Sequence, residues 1–338
     1  MRPKLHEVAR ITGVSQATVS RVINGKPGVA DATRRRVLDA LSDLGYQDAP
    51  SQPARSGIVG IITPELQNPV FPLLAQAIEA RLARHDYMCV VCPATAETIN
   101  EQDYIDHFVD TNAAGVVVIN GRYANEGVGY DPYVQAAAQG LGVVLVNAVE
   151  YPCPVPSVKV DIAAGAELAV RHLIDLGHER IGCLVGPRRY VGAIEFYRGW
   201  RRGLEAAGLP VDTDMALSET LFTLEGGQAG GAKLLENRMT GIVAASDFLA
   251  LGAIKAARDW GAAVPDDISV IGFDGTPLGT FTDPTLTTLR QPLDRMATAV
   301  AGLFTNYTNG ADRPAAQVFT PELVSGRSTA RVAQAVRT

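Results

Sequence analysis

The residues best suited to chemistry lie near the amino terminus, and that chemistry is base recognition rather than bond breaking. After Gly13 and Val14, the run Ser15-Gln16-Ala17-Thr18-Val19-Ser20-Arg21 places small and polar side chains at helical spacing. Ser15 suits a helix cap, which leaves Gln16 and Ala17 in the first turn facing outward, as entry into a DNA groove requires. Gln16 can pair with adenine, Ala17 can contact a thymine methyl, and Arg21, one turn further, can reach guanine or phosphate. Thr18, Ser20 and Asn24 are better placed for phosphates, which position a domain without reading sequence. The plainer alternative is a three-helix packing module with no role on DNA.

Catalytic readings find little support. Cys89 and Cys92 form a C-x-x-C, but within an apolar strand pattern side chains three apart face opposite sides of a sheet. No second cysteine pair is present to complete a zinc site, so buried structural cysteines are expected. His85, His107, His172 and His178 show neither H-x-x-x-H nor H-E-x-x-H spacing, and His178, in "LGHER", is expected to cap a helix end. The chain lacks G-x-G-x-x-G, G-x-x-x-x-G-K-[ST] and G-x-S-x-G, which removes the common phosphate-cradling and hydrolase signatures. No catalytic residue, metal or cofactor is expected.

Three short helices must position the amino-terminal residues. Leu5, Val8 and Ala9 form one apolar stripe, Val19, Val22 and Ile23 a second, and Val37, Leu38, Leu41 and Leu44 a third. Gly13 supplies the turn between the first two, and Asn24-Gly25 and Pro27-Gly28 end the second. Residues 47–57, "QDAPSQPARSG", lose apolar periodicity and read as a linker. From Ile58 onward, apolar runs such as "IVGIIT", "GVVVIN", "GVVLVN", "IGCLVG" and "ISVIGF" alternate with amphipathic helical segments. That alternation implies parallel sheets covered on both faces, in two Rossmann-like halves with a cleft between them.

Charge divides the chain at the same place. Residues 1–46 carry a balance of +4, whereas residues 47–338 carry −10, so a small basic module is attached to an acidic body. The basic part can grip phosphate and the body is not expected to touch DNA. The run Arg34-Arg35-Arg36 either lines a phosphate path or is simply solvated. Without a signal stretch or a membrane-length apolar run, a cytoplasmic location is expected.

The strings "EVARITGVSQATVSRVINGKPGV" and "TRRRVLDALSDLGY" resemble the DNA-binding headpiece of LacI-family transcriptional regulators. The likeness continues through "VGIITPELQNPVF", "LGHERIGCLVGP", "ASDFLALGAI", "VPDDISVIGFDGTPL" and "PTLTTLRQP", in the family's order. The resemblance implies a small all-α helix-turn-helix headpiece and an α/β core of two Rossmann-like subdomains, similar to periplasmic binding proteins. It also implies a homodimeric repressor on a near-palindromic operator, controlled by a small-molecule, saccharide-like effector between the subdomains. The alternatives are a small-molecule binding protein with a vestigial headpiece and a carbohydrate enzyme carrying a helix-turn-helix.

Carried onto this chain, the family's organisation places a headpiece at 1–46, a linker at 47–57 and the core at 58–338. One core lobe is expected at about 58–156 and 291–318, the other at about 157–290 and 319–338. The implied effector positions are Asn68, Phe71, Arg122, Asn147, Ile194, Ser246, Asp247, Asp274 and Gln291. Asp247 and Asp274 follow strand ends, and paired carboxylates suit a polyhydroxylated ligand; their bland roles are a helix cap and a turn.

Several features depart from the family pattern. Its common cleft arginine is read as Ile194, and the Asn before Asp247 is Ser246, which removes a bidentate anchor. Arg122, Arg188, Arg189 or Arg198 are possible substitutes. The segment "NGRYANEGVGYDPY" either covers the cleft or forms an exposed loop. The linker is about four residues short, contains Pro50 and Pro53, and offers no Leu, Ile, Phe or Met as a minor-groove wedge. Weaker or absent operator kinking is therefore expected, with Arg55 on phosphate. Helix 69–85, with Phe71, Leu74, Ala75 and Ile78, is either a dimer face or core.

Overall fold

The computed structural model describes residues 5–23, 29–44, 56–95, 99–148, 153–308 and 316–332. The chain separates into two compact units at Ser56/Gly57. The first consists of helices α1 (Leu5–Thr12), α2 (Gln16–Ile23) and α3 (Asp31–Asp43). Val8, Val19, Val22, Val37, Ala40 and Leu41 form its buried centre, so one apolar stripe from each helix meets the other two. Gly13 joins α1 to α2 at φ +69°, a backbone conformation that side chains other than glycine's rarely adopt.

The second unit contains two six-stranded sheets. The first, in the order β11-β5-β4-β3-β1-β2, combines β1 (Ser56–Thr63), β2 (Met88–Pro93), β3 (Ala113–Ile119), β4 (Gly142–Val146), β5 (Ser157–Val160) and β11 (Gln317–Phe319). The second, in the order β12-β10-β9-β8-β6-β7, combines β6 (Ile181–Val185), β7 (Leu217–Glu219), β8 (Gly241–Ala244), β9 (Ser269–Asp274), β10 (Thr287–Arg290) and β12 (Glu322–Val324). Every residue of β3, β4, β6, β8 and β9 is buried, because helices cover both faces. This is why those strands read as continuous apolar runs.

Three features differ from the sequence reading. Strand β5 pairs with β4 and β11, so residues 157–160 belong to the first lobe and the chain crosses over after Val160 rather than before Ser157. The expected linker also ends early, since β1 begins at Ser56. The second sheet is not wholly parallel: β12 runs antiparallel to β10.

Helices α4 (Val70–Leu82), α5 (Glu101–Asp110) and α12 (Leu293–Thr308) pack on the first sheet, and α7 (Ile162–Asp175), α8 (Val191–Ala206) and α11 (Asp247–Trp260) on the second. On α4, Leu74, Ala75 and Ile78 are buried in the core of their own lobe. Of the two readings of this stripe, core is therefore the one observed, and Phe71 at its start turns toward the cleft. Cys89 and Cys92 pack on opposite faces of the first sheet, and burial pushes both thiols up to about 11.

His178 does more than end a helix. It is buried, with Nδ1 3.0 Å from the Thr240 hydroxyl and Nε2 within 3.0 Å of Ser269 Oγ and 3.1 Å of the Ala330 carbonyl. It therefore pins the carboxy-terminal segment onto β9. Burial lowers its pKa, so the fold holds a neutral imidazole.

Candidate functional site

In the amino-terminal unit, the Ser15 hydroxyl accepts the Thr18 backbone N–H at 3.1 Å and lies 2.9 Å from the Thr18 hydroxyl. This is the cap expected at the start of α2. Gln16, Ala17 and Arg21 are exposed, while Thr18 and Ser20 are half-buried. Ala17 and Arg21 lie one helical turn apart, so they share one face of α2. Asn24 and Arg55 lie outside the described residues.

In the second unit, a cavity of about 470 Å³ opens between the lobes, at the carboxyl ends of both sheets' strands. Binding sites in open α/β sheets form there because the strand order reverses and leaves a crevice. In the first sheet the reversal falls between β1 and β3, and in the second between β6 and β8. Pro64 and Glu65 follow β1, Asn120 follows β3, Pro187 lies just past β6, and Ala245 and Ser246 follow β8.

Six of the nine expected effector positions line this cavity: Asn68, Phe71, Asn147, Ser246, Asp274 and Gln291. Asp274 is 6% exposed and sits at φ 118°, an uncommon backbone conformation for a residue with a side chain. Gln291 donates to its Oδ1 at 2.7 Å, and the Asn68 amide of the opposite lobe stands close by. Oδ2 is buried without a hydrogen-bond partner. Burial, and next the charge of Asp247, push the Asp274 carboxyl well above the usual range, against the pull of Gln291 and Asn68.

Asp247 itself is absent from the cavity lining. Its Oδ2 accepts the Thr276 N–H at 2.7 Å and the Thr276 hydroxyl at 2.8 Å, and its Oδ1 accepts the Thr288 hydroxyl at 2.6 Å. It ties the ends of β9 and β10 together beneath Asp274. Burial holds its own carboxyl above the ordinary value. The cap of α11 is Ser246, whose hydroxyl accepts the Leu249 N–H at 3.2 Å.

The remaining two expected positions also lie elsewhere. Ile194 is not part of the lining; α8 contributes Gly192, Ala193 and Phe196 to the cleft, so the side chain replacing a cleft cation has to be sought on that face. Arg122 is exposed outside the cavity; its backbone N–H donates to Glu101 at 2.9 Å and its carbonyl accepts from the Asn125 N–H at 3.0 Å. Arg188 pairs with Glu219 at 2.9 Å, Arg189 lies over the Tyr190 ring at 4.9 Å, and Arg198 is exposed. None of these arginines lines the cleft.

Residues overlooked in the sequence include Glu65, Asn120, Tyr190, Phe196, Phe222 and Phe273. Asn120 and Asn147 form a pair at the ends of neighbouring strands, both at positive φ, and Asn147 donates to Asn120 at 2.8 Å. The signal was present as the repeated ending of "GVVVIN" and "GVVLVN". Phe222 reaches the cleft by lying against Gly186: a Cβ there would come within 1.9 Å of its ring.

The segment 120–133 covers one side of the cleft. It is rooted in the first lobe by the buried Tyr123, whose hydroxyl lies 2.8 Å from the Val118 carbonyl and 2.5 Å from that of Val146. A second root is the hydrogen bond from Tyr133 to the buried Glu101. Ala124 lines the cavity, the Glu126 N–H donates to the Arg189 carbonyl at 2.8 Å, and Asn125 forms an antiparallel bridge with Tyr190 of the second lobe. Among the described residues, no cluster of His, Cys, Asp or Glu is arranged to hold a metal ion.

Comparison with known proteins agrees with this architecture. Residues 4–48 match the model of "Bacterial regulatory proteins, lacI family", and residues 170–329 match that of "Periplasmic binding protein-like domain". The chain is 43% identical to the HTH-type transcriptional regulator MalR of Streptomyces coelicolor, over 98% of this chain and 97% of that protein. It is 32% identical to catabolite control protein A of Priestia megaterium, over 91% and 93%. Among solved structures, a complex of the transcriptional regulator CelR with cellobiose superposes with a TM-score of 0.73 at 28% identity, covering 97% of this chain and all of that one. The basic helical unit, the two-lobed core and these relatives together establish that the chain belongs to the LacI family, as a DNA-binding transcriptional regulator with an effector-binding core and not an enzyme.

Proposed function

We propose that this regulator is a repressor that binds a near-palindromic operator as a homodimer and responds to a saccharide-like effector in the interlobe cleft. The observation that carries the effector reading is Asp274, a residue lining a cavity of about 470 Å³ whose buried Oδ2 has no hydrogen-bond partner. A buried polar atom left unpaired costs stability, and a ligand hydroxyl supplies the missing donor. Asn68 and Gln291 flank the same carboxylate from the first lobe and the crossover, so a ligand there touches both sides of the hinge. Ligand-dependent closure is then a route from the cleft to the headpieces.

On DNA, the exposed Gln16, Ala17 and Arg21 read base edges, with Ser15, Thr18, Ser20, Asn24 and Arg55 holding phosphates. One headpiece makes few base contacts, and a two-fold dimer doubles them. Apolar surface for that pairing exists on edge strand β2, where Met88, Val90 and Val91 are exposed, and at Phe281, which is 88% exposed. No helix among the described residues is long and apolar enough to cross a membrane. A role on DNA supports a cytoplasmic location. The test is a gel shift on operator fragments selected from random sequence, repeated with a saccharide panel. Salt-sensitive, sequence-specific binding released by a saccharide is expected; a chain that binds saccharide but no DNA at low salt refutes the repressor reading.

A further inference from the structure

We infer that the cleft is selective for an uncharged saccharide of at least two rings, and rejects phosphorylated and acidic sugars. This rests on the proposed effector role of the same cavity and adds to it a ligand class. Among the described lining residues the charged side chains are Glu65 and Asp274, both acidic, and none is Lys, Arg or His. The nearby arginines are engaged outside the cavity, Arg188 with Glu219 and Arg189 with Tyr190. A phosphate or carboxylate entering here gives up its water, finds no cation, and faces two carboxyl groups. Neutral hydroxyls instead meet the amides of Asn120, Asn147 and Gln291, which both donate and accept.

Size and shape point to more than one ring. Five aromatic side chains line the cavity: Phe71 from the first lobe, and Tyr190, Phe196, Phe222 and Phe273 from the second. Phe196 and Phe273 pack edge to face at 5.7 Å and form a fixed apolar surface. Pyranose rings present C–H faces that pack on such surfaces, whereas their hydroxyl edges need the polar wall. A cavity of about 470 Å³ with aromatic side chains contributed by both lobes has room for more than one pyranose ring.

The experiment is calorimetric titration of the full-length protein with maltose, cellobiose, trehalose, lactose and sucrose. Glucose, galactose, fructose, glucose 6-phosphate and gluconate complete the panel, together with the 6-phosphate of whichever disaccharide binds. An uncharged disaccharide is expected to bind at least tenfold tighter than its component monosaccharides and at least a hundredfold tighter than its phosphate. In the Glu65→Lys variant the phosphate's disadvantage should shrink at least tenfold. Glucose 6-phosphate or gluconate binding as tightly as the best neutral sugar overturns this inference while leaving saccharide control intact. An unchanged ratio in Glu65→Lys also overturns it. A complete absence of saccharide binding, neutral or charged, overturns the effector reading on which it rests.

Discussion

Replacing Asp274 by Asn tests the cleft in two directions at once. Asn keeps the side-chain shape and is one of the residues that tolerates positive φ, so the backbone at 118° is preserved. In the empty protein the substitution removes a titratable carboxyl from a buried site beside Asp247. Because the folded-state pKa lies above the ordinary 3.8, wild type loses stability as pH rises from about 4 through that raised value. The amide does not titrate, so the melting temperature of the variant should exceed that of wild type at pH 8, by a margin that shrinks toward pH 5. Ligand binding should move the opposite way. Leaving the ligand's buried hydroxyl without its acceptor costs roughly 1–3 kcal/mol, and an amide nitrogen at the Oδ2 position cannot accept. The Kd for the saccharide should therefore rise roughly 5- to 150-fold by calorimetry at pH 7.5. A Kd within threefold of wild type, or a melting difference independent of pH, refutes the assignment of Oδ2 as the ligand's acceptor.

Other perturbations probe separate parts of the molecule. Arg21→Ala should cost roughly 1–3 kcal/mol at one base position and relax preference there, so an unaltered consensus in a binding-site selection contradicts its role. Gly186→Ala puts a methyl 1.9 Å from the Phe222 ring and should drive that ring out of the cleft. Saccharide affinity should then fall about tenfold, near 1.4 kcal/mol, with little change in melting temperature, and a wild-type titration curve counts against it. His178→Gln addresses acid stability. The fold keeps this imidazole neutral, so wild type loses stability as pH drops below the ordinary 6.5, whereas the variant starts lower but declines less steeply. Urea unfolding at pH 7.5 and 5.5 decides it, and an equal loss in both proteins removes His178 as the cause.

Much of the architecture was legible because it depends on local patterning. The stripes led by Val8, Val19 and Val37 had one way to meet, and the cap at Ser15 follows from its place before α2. The apolar runs of β3 and β4 stood out because both faces are covered. Strand β5 was harder: four residues carry little periodicity, and its lobe is decided by pairing with β4 and β11, partners distant in sequence for β11. Asp247 and Asp274 look alike in sequence, since each follows a strand. Only the hydroxyls of Thr276 and Thr288 show that one has both carboxyl oxygens bonded within the fold, whereas the other keeps a buried oxygen unpaired. On α8, Gly192, Ala193 and Phe196 line the cleft and Ile194 does not, because each step along a helix turns the side chain by about 100°. The aromatic lining escaped notice altogether, as Phe222 depends on the gap left by Gly186, thirty-six residues away by their numbers.

The ribbon that leaves the first half near Tyr123 and clasps the second at Arg189 and Tyr190 does so through peptide groups. Altering the side chains of Asn125 or Glu126 therefore leaves the clasp in place, while a proline at 126 takes away its donor. Beyond Tyr123 the ribbon contributes Ala124 to the cavity wall, so the contact joining the two halves can be altered apart from the side chains that line the cavity.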